Sequence, residues 1–306
     1  MTSSRSLGIV LLLVVSSLAI VPQMARAETY ASGQSVFPAY EGWERNEDGS
    51  FNLVFGYMNE NWQEELNVPV GPENNFQPGG PDQGQPTRFL PRRNRFIFRV
   101  RVPKDFGNKE LVWTLTTRGR TEKAFGSLRP DLILENVDIM SETGALGAGT
   151  SNPEVRANKA PMMSVQGAKN RDAKVGEVIS LEGVVTDDGV PKARESARFR
   201  EAVRAASVRP PVRPTVAKGI GLHLSWFVYR GAGTVSFEPS QIKVWEDTRT
   251  GANSPWAPYW IAPPVPEGGK YVVKVTFSEP GTYILCGRAD DGGLTTDQFV
   301  TFNVTR

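Results

Sequence analysis

From Lys270 to Arg306 apolar and polar residues alternate with a period of two. The alternation is interrupted at Pro280-Gly281-Thr282-Tyr283 and at Asp290-Asp291-Gly292-Gly293. A period of two sends one row of side chains into a core and the other outward, and Pro, Gly and Asp clusters set the corners. This part of the chain can therefore fold only as antiparallel strands joined by tight turns.

The same signature recurs upstream. Val178 to Thr186 runs into the turn Asp187-Asp188-Gly189, Leu222 to Val228 places Leu222, Leu224, Trp226 and Val228 inward, and Val272 to Phe277 precedes the final strands. Nearer the N-terminus, Phe51, Leu53, Phe55 and Tyr57 share one face of a strand. Phe96 to Val102 alternates with Ile97, Arg99 and Arg101 on its outer side, and Leu111 to Thr116 closes on Thr117-Arg118-Gly119-Arg120. Short strands at this spacing predict an all-β protein of two antiparallel β-sandwich, immunoglobulin-like domains with one short helical insertion. The expected division is 28–140 for the first domain, 141–160 for a linker and 161–306 for the second. Asn67 to Arg95, rich in Pro, Gly, Asn and Gln, is expected to be mostly a long surface loop.

Residues 1–27 carry export signals: Arg5, an apolar run from Leu7 to Val21, and Ala25-Arg26-Ala27 as a small-x-small cleavage site. The apolar run is short for a membrane span. The whole chain holds 35 Lys+Arg against 33 Asp+Glu, and Arg5 and Arg26 account for the difference, so the mature chain is formally neutral. Neutrality gives no general attraction to nucleic acid. The expected location is the periplasm or the extracellular space. A single cysteine, Cys286, cannot form an internal disulfide, and its parity places it on the strand face opposite Tyr283 and Leu285.

Leu181 to Gly189, Leu224-Ser225-Trp226, Gly233-Thr234-Val235-Ser236-Phe237 and Thr276 to Val304 together resemble a polycystic-kidney-disease-type immunoglobulin-like domain, in the variant with a Thr-Asp-Asp-Gly turn and a Gly-Thr-Tyr corner. The likeness covers about the last third of the chain and implies a β-sandwich that spaces or binds. The chain departs from it by insertions near 191–219 and 245–269. The overall layout is also similar to secreted bacterial proteins of unassigned role, a similarity that gives no chemistry.

The first insertion has helix-forming composition from Ala193 to Ala206, ended by Arg209-Pro210-Pro211. Its Arg194, Arg198 and Arg204 could grip an anionic polysaccharide, a lipid headgroup or an acidic partner, or simply face solvent. The second carries Pro255-Trp256-Ala257-Pro258-Tyr259-Trp260. Trp256, Tyr259 and Trp260 suit a sugar ring or a proline-rich partner, since flat rings bring area at little entropic cost and proline stiffens the loop. The competing reading has them cap an open sandwich end or form the interdomain contact.

Glu41, Glu44, Glu60, Glu64 and Glu65 lie among Tyr40, Trp43 and Trp62, and a pair of them could serve a glycan hydrolase. Asp187, Asp188, Asp290 and Asp291 with Glu182 could crowd around calcium or, more simply, build turns. The lone His223 has no nucleophile motif beside it, and no metal-ligand spacing or phosphate-binding glycine loop is present. The leading expectation is thus an exported, non-catalytic binding or interaction protein without cofactor or metal. Its partner would be a polysaccharide or an envelope protein. A glycan hydrolase and a pure spacer are the alternatives.

Overall fold

The structure is a computed structural model that describes residues 30–143, 150–192, 219–246 and 262–306. The segment expected to direct export, the stretch from Ala193 to Ala206 expected to be helical and most of both expected insertions lie outside these residues.

The first half holds β1 (Val36–Arg45), β2 (Phe51–Asn59), β3 (Leu66–Asn67), β4 (Asn74–Gln77), β5 (Arg88–Phe89), β6 (Arg92–Val102), β7 (Leu111–Thr117) and β8 (Arg120–Gly126). They form two three-stranded sheets, β1-β2-β6 and β4-β7-β8, with β3-β5 as a small extra ladder. Leu53, Phe55, Phe98, Val100, Trp113 and Leu115 meet between the sheets. Phe55 stacks on Phe98 and meets Trp113 and Phe76 edge-on, an arrangement aromatic quadrupoles favour.

Two short helices follow, α1 (Asn136–Ser141) and α2 (Pro153–Arg156). The second half holds β9 (Met162–Val165), β10 (Asn170–Lys174), β11 (Ile179–Thr186), β12 (His223–Arg230), β13 (Val235–Glu238), β14 (Lys270–Phe277), β15 (Gly281–Asp290) and β16 (Thr295–Thr305). Its sheets are β10-β16-β15-β12 and β13-β14-β11-β9, and β10 runs parallel to β16. Tyr283 is buried in this second core and its hydroxyl donates to the Glu279 carbonyl at 2.9 Å, an immunoglobulin-type tyrosine corner. Gly231 and Gly233 make room for that ring, because a Cβ on either would lie within 2.4 Å of Tyr283 atoms. The protein is all-β, with antiparallel sandwiches of immunoglobulin type.

Three local expectations need correction. Asn67 to Arg95 is not a surface loop: it contributes β3, β4, β5 and the start of β6, and Phe76, Phe89, Asn74 and Gln85 are all buried. The buried Asn74 amide donates to the carbonyls of Val68 and Pro86, each at 2.9 Å, and accepts from Trp113 Nε1 at 2.9 Å. One saturated side chain thus pins a polar segment onto an aromatic core. Ile97 belongs to the core, not to the outer face. Phe96 has φ +53° and the β2–β6 register slips between Phe55 and Tyr57, so the bulge resets the side-chain alternation. Finally, β12 is buried on both faces: Leu224, Trp226 and Val228 enter the second core, while Phe227 and Tyr229, with Cys286 of the neighbouring β15, join the cluster of the first.

Candidate functional site

That second buried face of β12 and β15 is where the two halves meet. Tyr229 donates its hydroxyl to the Gly84 carbonyl at 2.5 Å, and Thr87 N–H donates to the Tyr229 carbonyl at 3.1 Å. Arg230 reaches Asp82 with both terminal nitrogens, at 2.9 and 2.8 Å, and its Nε donates to Gln85 O at 2.8 Å. These hydrogen bonds hold the Asp82 carboxyl below the usual carboxylate range, against a smaller opposing effect of burial. Arg288 is buried with a bidentate bridge to Asp297, both contacts at 2.7 Å, and also reaches the Phe96 carbonyl. Burial pushes the neighbouring Cys286 thiol well up, which makes it a packed strand residue with little thiolate character.

The polypeptide leading into the second insertion is held at the same junction. Trp245 is buried and meets Trp62 edge-on at 6.0 Å, and the Arg92 guanidinium lies 4.3 Å above the Trp62 ring. Glu246 N–H donates to Arg93 O at 2.9 Å, its Oε2 accepts Arg95 N–H at 3.1 Å, and Lys243 bridges it at 3.2 Å. Trp256, Tyr259 and Trp260 come 10 to 14 residues after Glu246 in sequence, and they lie outside the described residues, as do Arg194, Arg198 and Arg204.

Beside this base, Gln63, Glu65, Arg88, Leu90 and Pro91 of the first half face Thr234–Phe237, Gln241 and Lys243 of the second across a cleft of about 300 Å³. Trp226 to Val228 line it as well. Arg88 binds Glu65 at 2.9 Å, and its Nη1 donates to Ala232 O at 3.2 Å across the junction. Sequence reasoning missed this cleft, since its walls come from strands far apart in the chain. Trp62 was visible only as part of an aromatic and acidic stretch.

Four of the five glutamates proposed for hydrolysis are each engaged by an arginine. Glu41 is buried between Arg93 and Arg95, at 2.6 and 3.3 Å. Glu44 is held bidentately by Arg99, Glu64 meets Arg118 and Glu65 meets Arg88 through single contacts, and Glu60 is exposed. Tyr40 and Trp43 also do structural service, donating to the carbonyls of Ser127 and Arg129.

The acidic turns build backbone. Asp187 accepts from Gly189 N–H, Asp290 from Gly292 N–H, and Asp291 from Gly293 and Leu294 N–H. Among the described residues no group of three His, Cys, Asp or Glu side chains is arranged to hold a metal. Burial pushes the Asp291 carboxyl up to about 6 despite those bonds and one from Asn158 at 3.0 Å. His223 lies opposite Asp290 on the β12–β15 ladder, buried, with Nδ1 at 3.0 Å from Gly221 O. Among the described residues no helix is long and apolar enough to cross a membrane.

No family model matches this chain, and no curated protein matches it. Domains 4 and 5 of the S-layer protein SbsC are similar over 65% of this chain and 66% of theirs, at 9% identity and a TM-score of 0.24. Immunoglobulin domains 1–4 of Sidekick-1 match over 90% of this chain and 48% of theirs, at 9% identity and a TM-score of 0.24. The fibronectin(III)-like modules of Clostridium thermocellum CbhA match over 89% and 94%, at 11% identity and a TM-score of 0.22. These likenesses concern the sandwich arrangement of strands alone.

Proposed function

We propose that the protein is an exported, non-catalytic interaction protein of the periplasm or cell surface. Its two domains, 28–140 and a polycystic-kidney-disease-type sandwich at 161–306, are connected through 141–160. The working surface is the aromatic-proline loop bearing Trp256, Tyr259 and Trp260, assisted by Arg194, Arg198 and Arg204, and the first ligand is a polysaccharide. The observation that carries this reading is the base of the loop. Trp245 and Glu246 are fixed against Trp62, Arg93 and Arg95, so the residues that follow leave from an ordered anchor. An ordered anchor lowers the entropy lost when a loop engages its ligand. The clamping of the glutamates favours binding over hydrolysis for the same chain.

The test is native electrophoresis of the chain from Glu28 through gels cast with soluble polysaccharides. Retardation in at least one gel is expected, lost in Trp256→Ala/Trp260→Ala with the melting temperature nearly unchanged. Uniform migration would turn the search to an envelope protein partner. A large loss of stability in the double variant would show that the rings are core, and would sink the loop as the working surface.

A further inference from the structure

The cleft at the junction has the chemistry of an unfilled place in a β-sheet. It opens on the flank of the second sandwich, where the edge strands of its two sheets, β12 and β13, stand next to each other without pairing. On β13, Ser278 N–H donates to Thr234 O at 3.0 Å, which fixes the phase of the ladder with β14. In an antiparallel pair the bonded residues alternate, so Ser236 and Glu238 turn their backbone groups toward β14 while Val235 and Phe237 turn theirs outward. Those outward N–H and C=O groups meet no partner among the described residues, and both residues line the cleft.

On β12 the corresponding place is already imitated. Trp226 N–H donates at 3.0 Å to Oε1 of Gln241, a side-chain carbonyl standing where a strand would put a main-chain one. The charges lining the cleft are matched, Arg88 with Glu65 on the first half and Lys243 with Glu246 on the second. No unmatched charge is left to select a charged ligand.

We infer that this cleft is a docking site for a short, uncharged, extended peptide segment of a protein partner, which adds to the free edge of β13 through Val235 and Phe237. Alternating donors and acceptors at strand spacing match a peptide main chain, and main-chain pairing supplies affinity in such additions. At about 3.3 Å per residue the edge accepts roughly three residues, and the cleft lies at the small end of ligand pockets. The site is separate from the aromatic-proline loop and stands or falls without it.

Phage-displayed random heptapeptides panned on the whole chain supply the probe, and the enriched peptide is then synthesised. Val235→Pro removes one outward N–H while leaving the β14 ladder intact, since proline is tolerated on an edge. The peptide should bind Val235→Pro at least 10-fold more weakly than the parent chain. It should also lose binding when its own amides are N-methylated at one set of alternate positions but not at the other. Trp256→Ala/Trp260→Ala should bind it unchanged. If no heptapeptide is enriched, or if the enriched peptides ignore both Val235→Pro and N-methylation, the inference is wrong. The methylated peptides keep the test decisive even if Val235→Pro disturbs folding.

Discussion

Asn74 shows how much one side chain can organise. Its amide bonds two carbonyls and the indole of Trp113 in a fully buried position, so Asn74→Ala would strand three polar groups without water. Each stranded group costs about 1–3 kcal/mol. Partial relaxation should leave a loss of about 3 kcal/mol, read from the midpoint of denaturant unfolding. Asp291 sets a pH dependence. Its carboxyl titrates near 6 in the fold, against about 3.9 in an unfolded chain. The native state therefore holds the proton more tightly, and this group's contribution is complete below about pH 4 and is lost as pH rises through 6. Asp291→Asn keeps a side-chain oxygen for Gly293 and Leu294 N–H. It should flatten the stability profile between pH 4 and 6 and leave stability above pH 7 equal or higher. An unchanged slope in that variant would assign the dependence to another group.

At the level of elements, the alternation in Phe51–Tyr57, Leu222–Val228 and Lys270–Arg306 located the strands, and on Phe51–Tyr57 and Val272–Phe277 their inner faces as well. Period two reports burial whenever only one face is buried. It fails on β12, because Phe227 and Tyr229 pack into the cluster of the first half, and His223 and Ser225 are buried as well. It fails on β6, because the bulge at Phe96 breaks the phase. Composition misled over Asn67–Arg95, where Asn74 and Gln85 are buried because both ends of their amides are bonded, a property that polarity scales do not register. Of the candidate site, the loop carrying Trp256, Tyr259 and Trp260 was legible as a motif. The cleft was not, since register and long-range packing create it. The bridge between Arg230 of β12 and Asp82 belongs to this scale. Asp82→Ala should cost about 1 kcal/mol, the discounted value of a partly exposed charged pair. Hydrogen exchange should accelerate at Gly84–Thr87. Because the Asp82 pKa is lowered in the fold, the bridge contributes above about pH 4 and fades as pH falls through the native value.

For the whole molecule, both features proposed to bind are joint products of the two halves. The base at Trp245 needs Trp62 and β6, and the cleft needs Arg88 on one side and β13 on the other. Buried Arg288 lies at the centre of the shared face, and Asp297→Asn would leave its charge unmatched. Loss of one partner of a buried pair costs roughly 3–5 kcal/mol, and that loss should lower the stability of both halves together. The claim that the two sandwiches act as one presenting unit is tested most directly by scanning calorimetry of the chain from Glu28. The account predicts a single transition whose calorimetric and van't Hoff enthalpies agree, shifted as a whole to lower temperature by Asp297→Asn. Two resolved transitions, with Asp297→Asn moving only one, would contradict it.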